Sequence, residues 1–116
     1  VTALAISVGN VHLKTEKTSG INFGALKAIE EVTTLPLVLH GGSGIPVNVR
    51  KRLARESRVS KFNIGTELRM AFGNALRKSL TDNCDSFDRI RLLAPTVDAV
   101  KSATIEVIRA LNGKPE

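Results

Sequence analysis

One stretch constrains this chain more than any other: Leu35-Pro36-Leu37-Val38-Leu39-His40-Gly41-Gly42-Ser43-Gly44. An apolar run without alternation reads as a strand buried in a parallel sheet. It ends in a histidine, and three glycines and a serine follow at once. Ile45-Pro46 then opens a helix-like segment, proline being tolerated in a first helical turn because its missing N–H has no partner there. A Gly-rich turn running into a helix N-terminus can cradle a phosphate with backbone N–H groups. One turn therefore offers a metal-type ligand and an anion site a few residues apart.

The rest of the chain repeats the pattern. Residues 3–8 form a short apolar strand, followed by Gly9-Asn10-Val11-His12. A polar loop follows, in which Ser19 or Asn22 can cap a helix over about 21–32 with Phe23, Leu26, Ile29 and Val32 at helical spacing. The second strand is 35–39. A helix over about 47–57 has Val49 and Leu53 on its inner face, with its charges pointing out. The third strand, 59–64, ends in Asn63-Ile64-Gly65-Thr66, and Thr66 is the candidate N-cap of a helix over about 66–80 with Leu68, Phe72, Ala75, Leu76 and Leu80 on one apolar stripe. Residues 81–88 are turn-rich, and a last helix spans about 96–111, with Val97, Val100, Ile105, Ile108 and Leu111 on its apolar face, ended by Gly113 and Pro115. Strand–helix alternation implies a parallel α/β sheet. The strand ends fall near 12, 40 and 64, and ligands in such sheets bind at that carboxyl edge. Strands lie ~4.8 Å apart, so His12 and His40 can approach one another if their strands are neighbours. Three strands are too few to close a (β/α)8 barrel. The chain reads as its last three βα units plus a terminal helix, with the N-terminal part missing. The start on Val1, with a strand pattern already under way, fits a cut N-terminus.

Charge and cysteine usage narrow the partners. The 116 residues carry a net charge of +6, which favours anionic ligands. Much of it lies in Arg50, Lys51, Arg52, Arg55, Arg58 and Lys61, read as a solvated helix face. Single-strand nucleic-acid binding pairs such charge with aromatic platforms. The chain has no Trp or Tyr, and its Phe residues lie outside that cluster, so a nucleic-acid module is the weaker reading. No apolar run reaches the ~20 residues of a membrane span. A single cysteine, Cys84, cannot form an internal disulfide, which suits the cytoplasm. Neither GxGxxG nor GxxxxGK[ST] is present, so a nucleotide is discounted as the ligand of the turn.

Ser7-Val8-Gly9-Asn10-Val11-His12, Leu37-Val38-Leu39-His40-Gly41-Gly42-Ser43-Gly44 and Lys61-Phe62-Asn63-Ile64-Gly65-Thr66-Glu67 together resemble the C-terminal part of class II, zinc-dependent ketose-bisphosphate aldolases, the group of fructose- and tagatose-bisphosphate aldolases. The resemblance covers nearly the whole chain. It implies a TIM barrel whose zinc is held by three histidines, of which His12 and His40 match two; the third ligand and the catalytic acid/base aspartate belong to the absent half. It also implies phosphate binding by Gly41, Gly42 and Ser43, with Gly65 and Thr66 adding donors, a monovalent cation at Gly41, and substrate contact by Asn63 near the reacting carbons. An arginine serving the far phosphate of a neighbouring subunit corresponds to Arg89 or Arg91. The implied partners are a phosphorylated ketose, the missing half-barrel and further copies in a homo-oligomer. Two positions depart from the family pattern. Leu13 stands where a glycine usually follows the first histidine, and Gly65 stands where fructose-specific members often carry Asp.

Zinc suits neutral imidazoles and keeps a position open for substrate. Cleavage between the third and fourth carbons of a ketose leaves an enediolate, whose charge a Lewis acid stabilises. The alternative is an inactive or complementing half-barrel that binds phosphate. Glu67 reads as complementing the helix dipole and nothing more.

Overall fold

The computed structural model describes residues 1–9 and 20–112. Asn10, His12, Leu13 and Ser19 lie outside them. The elements in order are β1 (Leu4–Ile6), α1 (Phe23–Val32), β2 (Leu37–Leu39), a 3-10 turn (Gly42–Gly44), α2 (Val47–Glu56), β3 (Val59–Phe62), α3 (Thr66–Asp82) and α4 (Arg89–Asn112). The three strands form one parallel sheet in the order β1-β2-β3, as the strand–helix alternation requires.

The register decides which residues share a face. Leu4, Ala5 and Ile6 pair with Leu37, Val38 and Leu39. Across β2 and β3, Leu37 pairs with Val59, Val38 with Lys61 and Leu39 with Phe62. Ser60 is thus an extra residue on β3, a bulge that lets Val59 and Phe62 turn to the same side although they stand three positions apart, an odd spacing that would otherwise put them on opposite faces. On that side Ile6, Leu37, Leu39 and Val59 pack with Leu26 of α1 and Leu53 of α2, and Phe62 joins them. The row Ala5–Val38–Lys61 points the other way, and Ala5 and Lys61 are exposed. Both helices therefore cover one face of the sheet, and the opposite face is open among the described residues.

Backbone hydrogen bonds tie neighbouring strand ends together: His40 N donates to Ile6 O at 3.5 Å and Asn63 N to Leu39 O at 2.9 Å, while Asn22 N, before α1, donates to Val8 O at 2.8 Å. Asn22, one of the two cap candidates, accepts from Ala25 N with its side-chain oxygen and starts α1.

Three expectations are corrected. First, Arg50 does not point out with the other charges of α2: it is fully buried. Position 50 lies three residues before Leu53, on the same helical stripe, and a carboxylate waits there. The six-cation run is consequently not one solvated face, since Lys61 also lies on the opposite side of the sheet from α2. Second, the terminal helix starts at Arg89, not near 96. Asp88 accepts from Ile90 N at 2.9 Å through its side chain, which caps the helix early. Pro95 is carried inside it, at the loss of one internal hydrogen bond. Third, the buried positions of α3 and α4 are mainly small or polar. Ser79, Thr96, Val107 and Ala110 are buried, whereas Leu80 is 48% and Val97 67% exposed. Apart from Val107, the larger apolar residues of these two helices are half-buried or exposed. No helix among the described residues is long and apolar enough to cross a membrane.

Leu39 sits at the centre of the sheet with no exposed surface. Leu39→Ala is expected to cost about 2–5 kcal/mol of unfolding free energy, the range for a large-to-small change in a packed core, measured by urea denaturation.

Candidate active site

The carboxyl end of β2 bends at Gly41, whose φ of 63° is the left-handed conformation that glycine adopts without strain. The chain then winds through the 3-10 turn, and residues 41–45 are all buried. Gly42 is where the turn meets the end of β3. Its N–H donates to Asn63 O at 3.0 Å. A Cβ at Gly42 would stand 2.9 Å from Ile64 Cγ1 and 3.1 Å from Asn63 O. The absent side chain is what lets the second and third loops touch.

That contact places the site residues together. The His40 Nδ1 and Asn63 Nδ2 atoms are 3.4 Å apart, a long hydrogen bond across the gap between the two strand ends. Ser43 Oγ accepts from Gly65 N at 3.2 Å and from Glu67 N at 3.3 Å. Thr66 was expected to cap α3. It is instead the first helical residue, Gly65 is the N-cap, and no local side chain makes the capping bond. The hydroxyl of Ser43 performs that task from another loop. It meets two of the N–H groups that a helix start leaves without internal partners, and these point at the Gly-rich turn.

Behind the turn lies an ion pair absent from the sequence reading. Arg50 Nη2 donates to Glu67 Oε2 at 2.6 Å and to Ser43 O at 3.0 Å. The Arg50 side chain is 1% exposed and that of Glu67 21%. Glu67 therefore does more than complement the α3 dipole: it balances a buried cation. The available signal was spacing, since Arg50 shares the inner stripe of α2 with Leu53; its place in a run of cations hid it.

Of the expected site residues, His40, Gly41, Gly42, Ser43, Asn63, Gly65 and Thr66 cluster at one edge of the sheet. Arg89 and Arg91 do not join them. Both are exposed at the start of α4, and Arg91 lines a surface pocket with Asp82, Asn83, Cys84, Asp85 and Ser86. His12 lies outside the described residues. Among those described, no group of three or more His, Cys, Asp or Glu is placed to hold a metal ion.

A parallel sheet with an imidazole and an amide-rich turn at the carboxyl ends of its strands is of the α/β class that places its sites at that edge. The family follows from the sequence as a whole: a model described as fructose-bisphosphate aldolase class-II matches residues 1–115, and the chain belongs to that family. It is 38% identical over 112 residues to a fructose-bisphosphate aldolase of Mycoplasma pneumoniae, covering 90% of this chain and 38% of that one. It is 33% identical over 109 residues to a 6-phospho-5-dehydro-2-deoxy-D-gluconate aldolase of Bacillus subtilis, covering 94% of this chain and 37% of that one. The solved YdjI aldolase from Escherichia coli K12 superposes with a TM-score of 0.66 at 29% identity, over 95% of this chain and 38% of that one. A structure from Coccidioides immitis assigned as a fructose-1,6-biphosphate aldolase gives a TM-score of 0.75 over 97% of this chain and 38% of that one. At 23% identity, that second likeness concerns the fold alone. The chain thus spans a little under two fifths of the length of the curated relatives it matches.

Gly42→Ala is expected to part the second and third loops, lowering stability by on the order of 1–3 kcal/mol. The loss of the Gly42–Asn63 hydrogen bond should appear as faster amide exchange at Gly42.

Proposed function

We propose that these residues form the last three βα units and terminal helix of a (β/α)8 barrel, and that the parent protein catalyses zinc-dependent aldol cleavage and condensation of a phosphorylated ketose such as fructose or tagatose bisphosphate. The observation that carries this reading is the meeting of His40, Asn63 and the Ser43 turn at one sheet edge, with α3 directing two N–H groups into the turn. The molecule is more extended than a compact domain of its length, as a segment of a larger fold would be. Its radius of gyration is 17.3 Å, against ~13 Å for a compact domain of about 100 residues. Its open sheet face is where strands of a closed barrel enclose their interior.

The donor chemistry fits a metal in part. A half-buried imidazole at a strand end is the ligand type zinc takes, and His12 would be the second ligand. The remaining ligand and the acid/base aspartate come from residues that this chain does not contain. When bound, zinc supplies the Lewis-acid charge that lowers the cost of the negative charge developing as the carbon–carbon bond breaks.

The chain's own residues bind and orient. The N–H groups of Gly65 and Thr66, with the Ser43 hydroxyl, anchor one phosphate through charge-assisted hydrogen bonds, while the Gly42 N–H stays on Asn63 O. Anchoring at that remote group converts binding energy into placement of the reacting carbons. Asn63, tied to His40 and to the backbone of Leu39, offers its side-chain amide to the substrate beside the histidine that would hold the metal. Gly41 is the position that would help hold a monovalent cation. Arg89 or Arg91, both exposed, can reach the far phosphate in an adjoining subunit. Aldolases among the relatives act on two phosphorylated substrates by name, which supports phosphate anchoring as the shared requirement.

The open row Ala5–Val38–Lys61 favours a second reading of these 116 residues taken alone: they are inactive until the missing half-barrel covers that face.

In the intact gene product, EDTA is expected to abolish cleavage of fructose or tagatose bisphosphate, and added zinc to restore it. His40→Ala should lose both bound zinc, counted by atomic emission, and activity. Full turnover after zinc is stripped would refute the reading.

A further inference from the structure

We propose that Arg50 is a positioning residue for the anion cradle: it holds the Ser43 backbone and the first turn of α3 in one orientation, and so fixes the affinity of the turn for a phosphate group. This rests on the reading of residues 41–44 as a phosphate site. The three contacts form a closed ring. Arg50 Nη2 holds the Ser43 carbonyl and the Glu67 carboxylate. Glu67 N in turn donates to Ser43 Oγ. Ser43 is thereby gripped at its carbonyl from α2 and at its hydroxyl from α3. An arriving phosphate oxygen competes with Ser43 Oγ for the N–H groups of Gly65 and Glu67. When the hydroxyl turns from accepting those bonds to donating to the anion, the Arg50–Ser43 bond is what keeps the peptide in place.

Stability alone does not account for the pair. A guanidinium stays charged under all ordinary conditions, and burying it is costly unless its donors are used. Arg50 Nε is buried with no hydrogen-bond partner among the described residues. Among the described residues, both hydrogen bonds of the Arg50 side chain are made by Nη2, to Ser43 of the turn and Glu67 of α3. Apolar replacement of a buried ion pair is often neutral or stabilising, so a variant can separate folding from positioning.

The test uses the intact gene product and inorganic phosphate as the probe. Phosphate affinity is measured by isothermal titration, with the thermal midpoint recorded alongside, for wild type, R50M/E67M and R50K. The double variant is expected to keep the wild-type midpoint to within a few degrees and to bind phosphate roughly tenfold more weakly, the worth of one charge-assisted hydrogen bond. In the same variant, amide exchange at Gly65 and Glu67 should quicken. R50K keeps a charge for Glu67, but its single ammonium lacks the planar fork, and it is expected to weaken phosphate binding as well. If the double variant does not fold, R50K carries the test. Phosphate binding equal to wild type in the folded variant overturns the role of Arg50 and leaves the cradle standing. If the wild-type protein itself fails to bind phosphate, the cradle reading falls, and the role of Arg50 with it.

Discussion

The site depends on one close approach, that of the Gly42 backbone to the end of β3. A hydrogen bond of 3.0 Å joins Gly42 N to Asn63 O, and no side chain fits between the turn and Ile64. Without that contact His40 and Asn63 would sit on separate strand ends, and the Ser43 hydroxyl would not reach α3. The approach is possible because β2 and β3 are hydrogen-bonded neighbours and because the chain leaves β2 through a left-handed glycine. Secondary structure supplies the direction of the loops, and two glycines supply the room.

Capping across loops follows from the same geometry. A helix start needs acceptors for its first N–H groups, and most helices take one from their own preceding residue. Here the N-cap is glycine and brings no side chain, so Ser43 serves from the neighbouring βα unit. In the proposed cradle an anion takes the place of this cap at the same N–H groups without unwinding the helix, while Arg50 keeps its bonds to the Ser43 carbonyl and the Glu67 carboxylate. The buried charge and the glycine cap are therefore parts of one arrangement.

The two halves of the molecule are built differently. The sheet with α1 and α2 has an aliphatic core, in which Leu37, Leu39 and Leu53 are wholly buried. In α3 and α4 the buried residues are Ser79, Thr96, Val107 and Ala110, and the larger apolar residues other than Val107 are half-buried or exposed. Membership in the class II fructose-bisphosphate aldolase family gives that asymmetry a setting, because this chain covers only part of its relatives' length. A sheet covered on one face alone among the described residues fits the proposed place of these residues in a larger barrel.

The order of strands and helices, the parallel sheet and the family could be read from the sequence. Apolar runs followed by glycines mark strand ends by local chemistry alone, and three separate loop motifs agreed on one family. The position of Thr66, the start of α4 and the direction of Arg50 could not be read that way. Each is decided by a partner distant in sequence or by a local rule overridden: Ser43 supplies the cap, Asp88 starts a helix that passes through a proline, and Glu67 draws a cation inward. Periodicity reports which residues can face a core; only the assembled fold decides which polar groups meet there. Burial makes an unpaired charge or an unmet N–H costly, and the tertiary structure supplies the partner.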